Sequence, residues 1–385
     1  MTIIPPELIA EIISEVHTPS DLLQLRLVNS MMNTLATPLA FQSIRVINKD
    51  RSVNRFRRIA AHKKFAQLVH QVIYQYEEAD PSDPIGPHTL RGLDPTSFVE
   101  ALLLLSQLPA LDSLILKFRV NDDPFKIDDN ANPDDMTFPP EVVLQFLIFR
   151  ALAENEQGLP SPLKSLVVDN LLPLPHPYLG SPTILGLLST LTHLTINTTA
   201  HCAAFPMINP QLPWPPSYHL FQKEALSSSL VSLQLHHVHV RSADMLIPIS
   251  EVHLPRLAHL SLQKIYFSGQ GEVENFIARH GRTLIGLKLF VCPLALTTEE
   301  NSVRRPTRFR RWSQVWERLN NELKVLKELT VSERLDSNGI EDAGSMGWYV
   351  HDCYRCKAVS LSKADTTEDD TVLKRFKDVV ASRSG

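Results

Sequence analysis

Seven stretches of the chain read L-x-x-L-x-L, three of them with Val or Ile in the last place, and this recurrence constrains the fold more than any other feature. The copies are Leu111/Leu114/Leu116, Leu163/Leu166/Val168, Leu191/Leu194/Ile196, Leu230/Leu233/Leu235, Leu257/Leu260/Leu262, Leu284/Leu287/Leu289 and Leu326/Leu329/Val331. Val69/Val72/Tyr74 is a weaker first copy, and two consecutive steps, from 230 to 257 and from 257 to 284, are each 27 residues. Residues two apart in a strand share a face, so the last two apolar positions of each copy point into a core. One such unit cannot bury its apolar face alone; stacked neighbours build a continuous interior.

The residues before most copies read as helices. Thr96 to Gln107 carries Phe98, Leu102 and Leu105; Ala243 to Val252 is a less regular apolar run. Val273, Phe276 and Ile277 precede Arg279-His280-Gly281, where Gly281 sits at the place of a helix C-cap. Each unit is therefore a helix followed by a strand. Over about residues 67 to 335 this resembles the leucine-rich repeat family. That family carries Asn or Cys three places after the last Leu; here Cys292 matches, while Arg119, Leu171, Thr199, Val238 and Ile265 do not. Steps of 39, 42 and 52 residues elsewhere imply insertions.

The totals set limits on function. At 385 residues the chain exceeds one compact core, which suits an elongated repeat array with an appendage. A net charge of −4 argues against a dedicated nucleic-acid binder. No run approaches the roughly 18 apolar residues of a membrane span. The first residues, Met1-Thr-Ile-Ile-Pro-Pro-Glu7, lack the basic region and apolar core of a secretory signal. Four cysteines in so long a chain point to a reducing compartment without a disulfide framework, so cytoplasm or nucleus is expected.

Residues 1–46 differ from the repeats. Pro5 and Pro6 suit a helix start, and Leu8, Ile9, Ile12, Ile13 and Val16 follow as an apolar stripe at helical spacing. Thr18-Pro19-Ser20 breaks that helix; Ser20 or Asp21 caps the next, whose stripe is Leu22, Leu25 and Val28. The apolar load exceeds what three short helices can hide, so the segment is expected to dock on something. Its order of residues resembles an F-box: Ile4-Pro5-Pro6-Glu7-Leu8 at the opening, then Ile12 or Ile13, Asp21-Leu22 through Val28, and Leu35-Ala36, Pro38 and Phe41. The family often has Trp where Met32 stands. The resemblance implies a surface for a Skp-family adaptor, formed by Ile4, Pro5, Glu7, Leu8, Ile12, Leu22, Leu25 and Val28. Of these, Pro5, Leu8, Ile12, Leu22 and Val28 are expected to be free of the repeats. An ordinary helical hairpin capping the repeats is the alternative.

Between 47 and 66 lies a basic connector with Arg51, Arg55, Arg57, Arg58, Lys63 and Lys64; Phe56, Ile59 and Ala60 mark it as a helix packed on the first repeat. Its charges suit a solvated face, with an anion-binding patch as the sharper alternative. Asp128, Asn130 and Asn132 have calcium-loop spacing, but Pro133 and Pro139 occupy the positions that need Gly and Glu, leaving an acidic insertion. Two further insertions, 171–177 and 205–218, are rich in Pro, the latter with Trp214.

Candidate chemistry is sparse. His236, His237 and His239, with His253 and His259, form the densest histidine group, but alternation prevents all from converging on a metal. Cys353-Tyr-Arg-Cys356 is a single C-x-x-C, whereas zinc modules need two such pairs. Arg304, Arg305, Arg308, Arg310 and Arg311 form a basic run suited to solvent or to a phosphorylated or acidic ligand. No catalytic signature is present.

The expected fold is an α/β solenoid, leucine-rich-repeat-like with one helix and one strand per repeat, carrying a small all-α F-box at its N-terminal end. Its parts are the F-box (1–46), the connecting helix (47–66), the repeats with insertions (67–359) and a C-terminal tail (360–385). The tail's Leu373, Phe376 and Val380 suggest one short helix. The two resemblances together imply a non-catalytic substrate-recognition subunit of an SCF-type ubiquitin ligase, acting in ubiquitin-dependent protein degradation. Its partners would be the adaptor, through it a cullin, and a target protein, with no cofactor, metal, nucleic acid or membrane. Target binding is expected on the outward strand positions Thr195, Asn197, Gln234, His236, Ser261, Gln263, Lys288 and Phe290. The alternatives are a repeat scaffold without ubiquitin transfer, and an enzyme using Cys353 and Cys356.

Overall fold

The structure is a computed structural model. It describes residues 5–16, 18–76, 95–118, 140–155, 158–159, 162–172, 177–198, 229–236, 249, 252–267, 271–296, 310–332, 349–351 and 363–383. The chain is α/β, with parallel strands alternating with helices, and it divides into two compact units. The first holds Met1–Arg119 and Phe146–Val167; the second holds Val120–Gln145 and Val168–Gly385.

The first unit opens with three helices: α1 (Pro6–Ser14), α2 (Pro19–Leu25) and α3 (Ser30–Gln42). Pro5 is the N-cap of α1 and Pro6 its first residue, where a missing N–H removes no intrahelical bond. Thr18, rather than Ser20 or Asp21, is the N-cap of α2; its hydroxyl donates to the Asp21 carboxylate, so Asp21 is engaged with the cap residue instead of replacing it. Asn29 caps α3 by accepting from the Met32 amide at 2.8 Å. The chain then enters β1 (Ser43–Ile47), a strand inside the segment the sequence assigns to an all-helical appendage. Ile44 and Val46 are buried on one face of β1, and their alternation is the sign that was available.

Strand β1 pairs in parallel with β2 (Gln71–Gln75), and β2 with β3 (Ser113–Lys117). Val72, Tyr74, Leu114 and Leu116 point inward as their pattern requires. On the other face Ser43, Gln71 and Ser113 form a hydrogen-bonded row, Ser43 Oγ to Gln71 Oε1 at 2.9 Å and Gln71 Nε2 to Ser113 Oγ at 3.2 Å. The basic connector is α4 (Asp50–Ala61), burying Val53, Phe56, Ile59 and Ala60, followed by the single turn α5 (Lys63–Ala66). Thr96 to Gln107 becomes α6 (Pro95–Glu100) running into a 3₁₀ turn, Ala101–Gln107. Helix α7 (Pro140–Ala153) and strand β4 (Ser165–Leu171) follow in sequence, and residues of both are divided between the two units.

In the second unit, α8 (Pro182–Ser189) precedes β5 (His193–Thr198). Strand β5 is followed by β6 (Ser232–His236), β7 (His259–Gln263) and β8 (Gly286–Phe290), each paired in parallel with the one before. Leu194, Ile196, Leu233, Leu235, Leu260, Leu262, Leu287 and Leu289 are all buried, as is the first Leu of each of these copies. Helix α9 (Glu272–Arg279) buries Val273, Phe276 and Ile277. Its C-cap is His280, and Gly281 does not take a left-handed conformation. Glycine is needed there because a Cβ would collide with the Glu322 backbone carbonyl at the end of α10 (Trp312–Glu322).

Strand β9 (Leu294–Leu296) pairs with the short β11 (Tyr349–His351), while β10 (Glu328–Ser332) lies against β8. Leu329 and Val331 of β10 are only half-buried, so the last copy closes less tightly than the rest. The expected tail is instead a 20-residue helix, α11 (Lys363–Ser382), packed against α10 through Val372, Leu373, Phe376 and Val380. Asp369 on α11 accepts from the Ser313 amide at 2.7 Å and so caps the first turn of α10.

Candidate functional site

In the first unit the site is an apolar surface on the N-terminal helices. The stripe of α1 splits: Ile13 turns inward, while Leu8 and Ile12, one turn apart, remain 50% and 60% exposed. Val28 is 63% exposed, and Pro5 and Glu7 are exposed. Leu25 is half-buried. Leu22, expected on the free surface, is only 5% exposed: it packs in the α2–α3 contact and belongs to the interior. Ile4 lies outside the described residues.

Two residues that the helical stripe does not select join this surface. Helix α2 ends at Leu25, so residues 26–28 form a turn and Leu27 emerges 86% exposed, with Met31 exposed on the first turn of α3. The density of the run Leu25-Arg26-Leu27-Val28 was the available signal. Of the eight large apolar side chains exposed among the described residues, five (Leu8, Ile12, Leu27, Val28 and Met31) fall on these helices and the turn between α2 and α3. Single exposed apolar residues are ordinary; such a concentration marks an interaction surface.

In the second unit the eight outward candidates fall into two rows set by the strand register. Thr195, Gln234, Ser261 and Lys288 are consecutive partners, and Asn197, His236, Gln263 and Phe290 form the next row. Strand β10 continues the rows with Thr330 and Ser332. Gln234 and Lys288 are exposed and the other six are half-buried. Asn197 is held by its neighbour: its Nδ2 donates to Asp169 Oδ1 at 2.5 Å. Before them runs a row with exposed His193 and His259; Gly286 beside His259 is the gap into which that imidazole fits.

The described histidines differ in setting. His236 is held near pKa 4, first by burial and then by the Lys264 charge, with Asp169 opposing, so it is neutral at physiological pH. His280, for which the sequence suggests no role, is buried and also lowered to about 4 by desolvation. His237 and His239 lie outside the described residues, as do Cys353, Cys356, Trp214 and the acidic insertion with Asp128. Among the described residues no three His, Cys, Asp or Glu side chains come together as a metal site. Cys292 is packed, not reactive: its thiol donates to the carbonyls of Leu262 at 3.4 Å and Phe290 at 3.5 Å, and burial pushes its pKa to about 12.

Part of the arginine run has a structural role. Arg310 pairs with Glu274, which is fully buried, and Arg318 Nη1 reaches the same carboxylate at 3.0 Å. Arg311 pairs with Glu368 at 2.8 Å. Arg304, Arg305 and Arg308 are outside the described residues. Among the described residues no helix is long and apolar enough to cross a membrane. No protein-family model matches the chain, and no curated protein matches it.

Proposed function

We propose that the N-terminal helices are an F-box and that the chain is a substrate-recognition subunit of an SCF-type ubiquitin ligase. In this reading the strands that follow are leucine-rich repeats, stacked as a solenoid whose outward rows take a target protein. The observation that carries the reading is the apolar surface of Leu8, Ile12, Leu27, Val28 and Met31, on the segment whose residue order resembles the family. The inward leucines and the constant register from β5 to β8 support the repeat part. The chain would contribute proximity rather than chemistry, raising the local concentration of target lysines near a ubiquitin-charged enzyme.

The buried position of Leu22 dictates how the proposal is tested, because its truncation damages the fold instead of the surface. Leu8→Ala with Val28→Ala is the surface pair. A central anchor costs about 2 kcal/mol or more when truncated, so the pair should weaken capture of a Skp-family adaptor by at least about a hundredfold. Its melting midpoint should match that of the intact chain. An intact chain that captures neither adaptor nor cullin refutes the ligase role and leaves a repeat scaffold.

A further inference from the structure

The first unit holds an open cleft of about 1060 Å³ where β1, α4 and the turn after α4 meet. Arg45, Lys49, Arg51, Arg55 and Arg58 line it, with His62, and no carboxylate does. Arg51, Arg55, Arg58 and His62 recur at steps of four, three and four, so they form one stripe of the helix and its end, beside the buried stripe of Val53, Phe56 and Ile59.

This arrangement works against the helix that carries it. Like charges one turn apart repel. Lys49 is the N-cap of α4 with no side-chain cap, and Arg51 lies in the first turn, so both sit at the positive end of the helix dipole. Asp50 is the one acidic residue of that turn, and it is not part of the cleft wall. Arg51, Arg55 and Arg58 have no ion-pair partner among the described residues. Apolar side chains also line the cleft: Phe41, stacked on Phe65 at 4.4 Å, with Ile59 and Leu23. An anion bound here would offset the repulsion and pair with the guanidinium groups of Arg51, Arg55 and Arg58.

We propose that this cleft binds an oligophosphate group, on a free compound or on a phosphoinositide headgroup. Four of the five permanent cations are arginines, whose planar forks pair with two phosphate oxygens at once. A phosphate monoester carries roughly −1.5 to −2 at neutral pH, so two phosphates match the charge of Arg51, Arg55 and Arg58. The site is separate from the adaptor surface and stands whether or not the ligase reading does.

The test is titration calorimetry of the full chain with inorganic tripolyphosphate at low salt, alongside thermal unfolding. The intact chain should bind and its midpoint should rise. Arg51→Gln/Arg55→Gln/Arg58→Gln should lose affinity by at least about a hundredfold, since each charge-assisted contact contributes roughly a factor of ten. Without ligand that variant should unfold no earlier than the intact chain, because the helix is relieved of repulsion. Lys374→Gln/Arg375→Gln/Lys377→Gln, on the exposed face of α11, should bind as the intact chain does. Absence of binding, or equal binding by the cleft variant, overturns the proposal. Flotation with vesicles then assigns the source. Retention on phosphoinositide vesicles that tripolyphosphate displaces identifies a headgroup, and no retention identifies a soluble ligand. Equal retention on phosphatidylserine vesicles overturns the site as mere surface charge.

Discussion

Replacing His280 with leucine should remove an acid-sensitive element from the second unit. Both ring nitrogens are committed: Nδ1 donates to the Phe276 carbonyl at 2.7 Å, and Nε2 accepts from the Leu254 amide at 2.9 Å. Because one partner is an acceptor and the other a donor, only the neutral Nδ1–H tautomer fits, and protonating Nε2 would turn two N–H groups on each other. Burial, the largest cause, lowers the pKa to about 4, against about 6.5 in an unfolded chain. The sign follows directly. The unfolded chain takes up a proton first, so the contribution is complete above about pH 6.5 and is lost as pH falls toward 4. The lost stability is about 2 kcal/mol between pH 8 and pH 5 and approaches 3 near pH 4. At pH 8 the leucine variant should be less stable by about 1–3 kcal/mol, from the orphaned Leu254 amide. Urea unfolding at pH 8 and pH 5 measures both. His236 is present in both proteins and cancels in the difference. The variant should lose about 2 kcal/mol less than the intact chain on acidification; identical losses would refute the argument.

Leu260→Asp buries an unpaired charge in the strand interior and should abolish the cooperative unfolding of the second unit, while Ser261→Asp should change stability by less than about 0.5 kcal/mol; calorimetry compares their melting midpoints. Gly281→Ala should cost about 1–3 kcal/mol, because its methyl meets the Glu322 carbonyl and the backbone must move; denaturant midpoints report it. Gln234→Ala/Gln263→Ala/Phe290→Ala should leave melting unchanged and remove any partner held on the outward rows, as mass spectrometry of captured proteins would record.

The period-two pattern made the inward rows legible before any coordinate, because strand alternation follows from backbone geometry alone. Residues such as Leu233 and Leu262 could hardly point elsewhere once a neighbour strand repeated the pattern. Helical spacing put Leu22 on the free surface and passed over Leu27, because exposure there depends on where α2 ends and how α3 crosses it, and a stripe at helical spacing does not report the end of a helix. Strand β1 is hidden because its Ile44 and Val46 directly follow the helical motif and fall inside the 1–46 segment that the motif marks as all-helical. His280 and Glu274 were invisible for another reason. Their partners, Leu254 for one and Arg310 and Arg318 for the other, are distant in sequence, and only packing brings them together.

The register also determines what the outward rows can offer a ligand. Neighbouring strands lie about 4.8 Å apart, and alternate residues along a strand about 7 Å. Thr195, Gln234, Ser261 and Lys288, with Asn197, His236, Gln263 and Phe290 beside them, therefore form a grid of fixed spacing. The inward leucines hold that spacing whatever occupies the grid, so outward chemistry can vary without cost to the core. Charge on the grid is confined: Lys288 is its one charged member, and His236 stays neutral above about pH 4 because burial and Lys264 both oppose its protonation. A partner on these rows would thus meet amides, hydroxyls, a neutral imidazole and one phenyl ring, with a single cation, and would be selected by hydrogen bonding and shape more than by charge. Lowering ionic strength should then strengthen its binding only slightly, in contrast to the steep salt dependence expected of an oligophosphate in the arginine cleft.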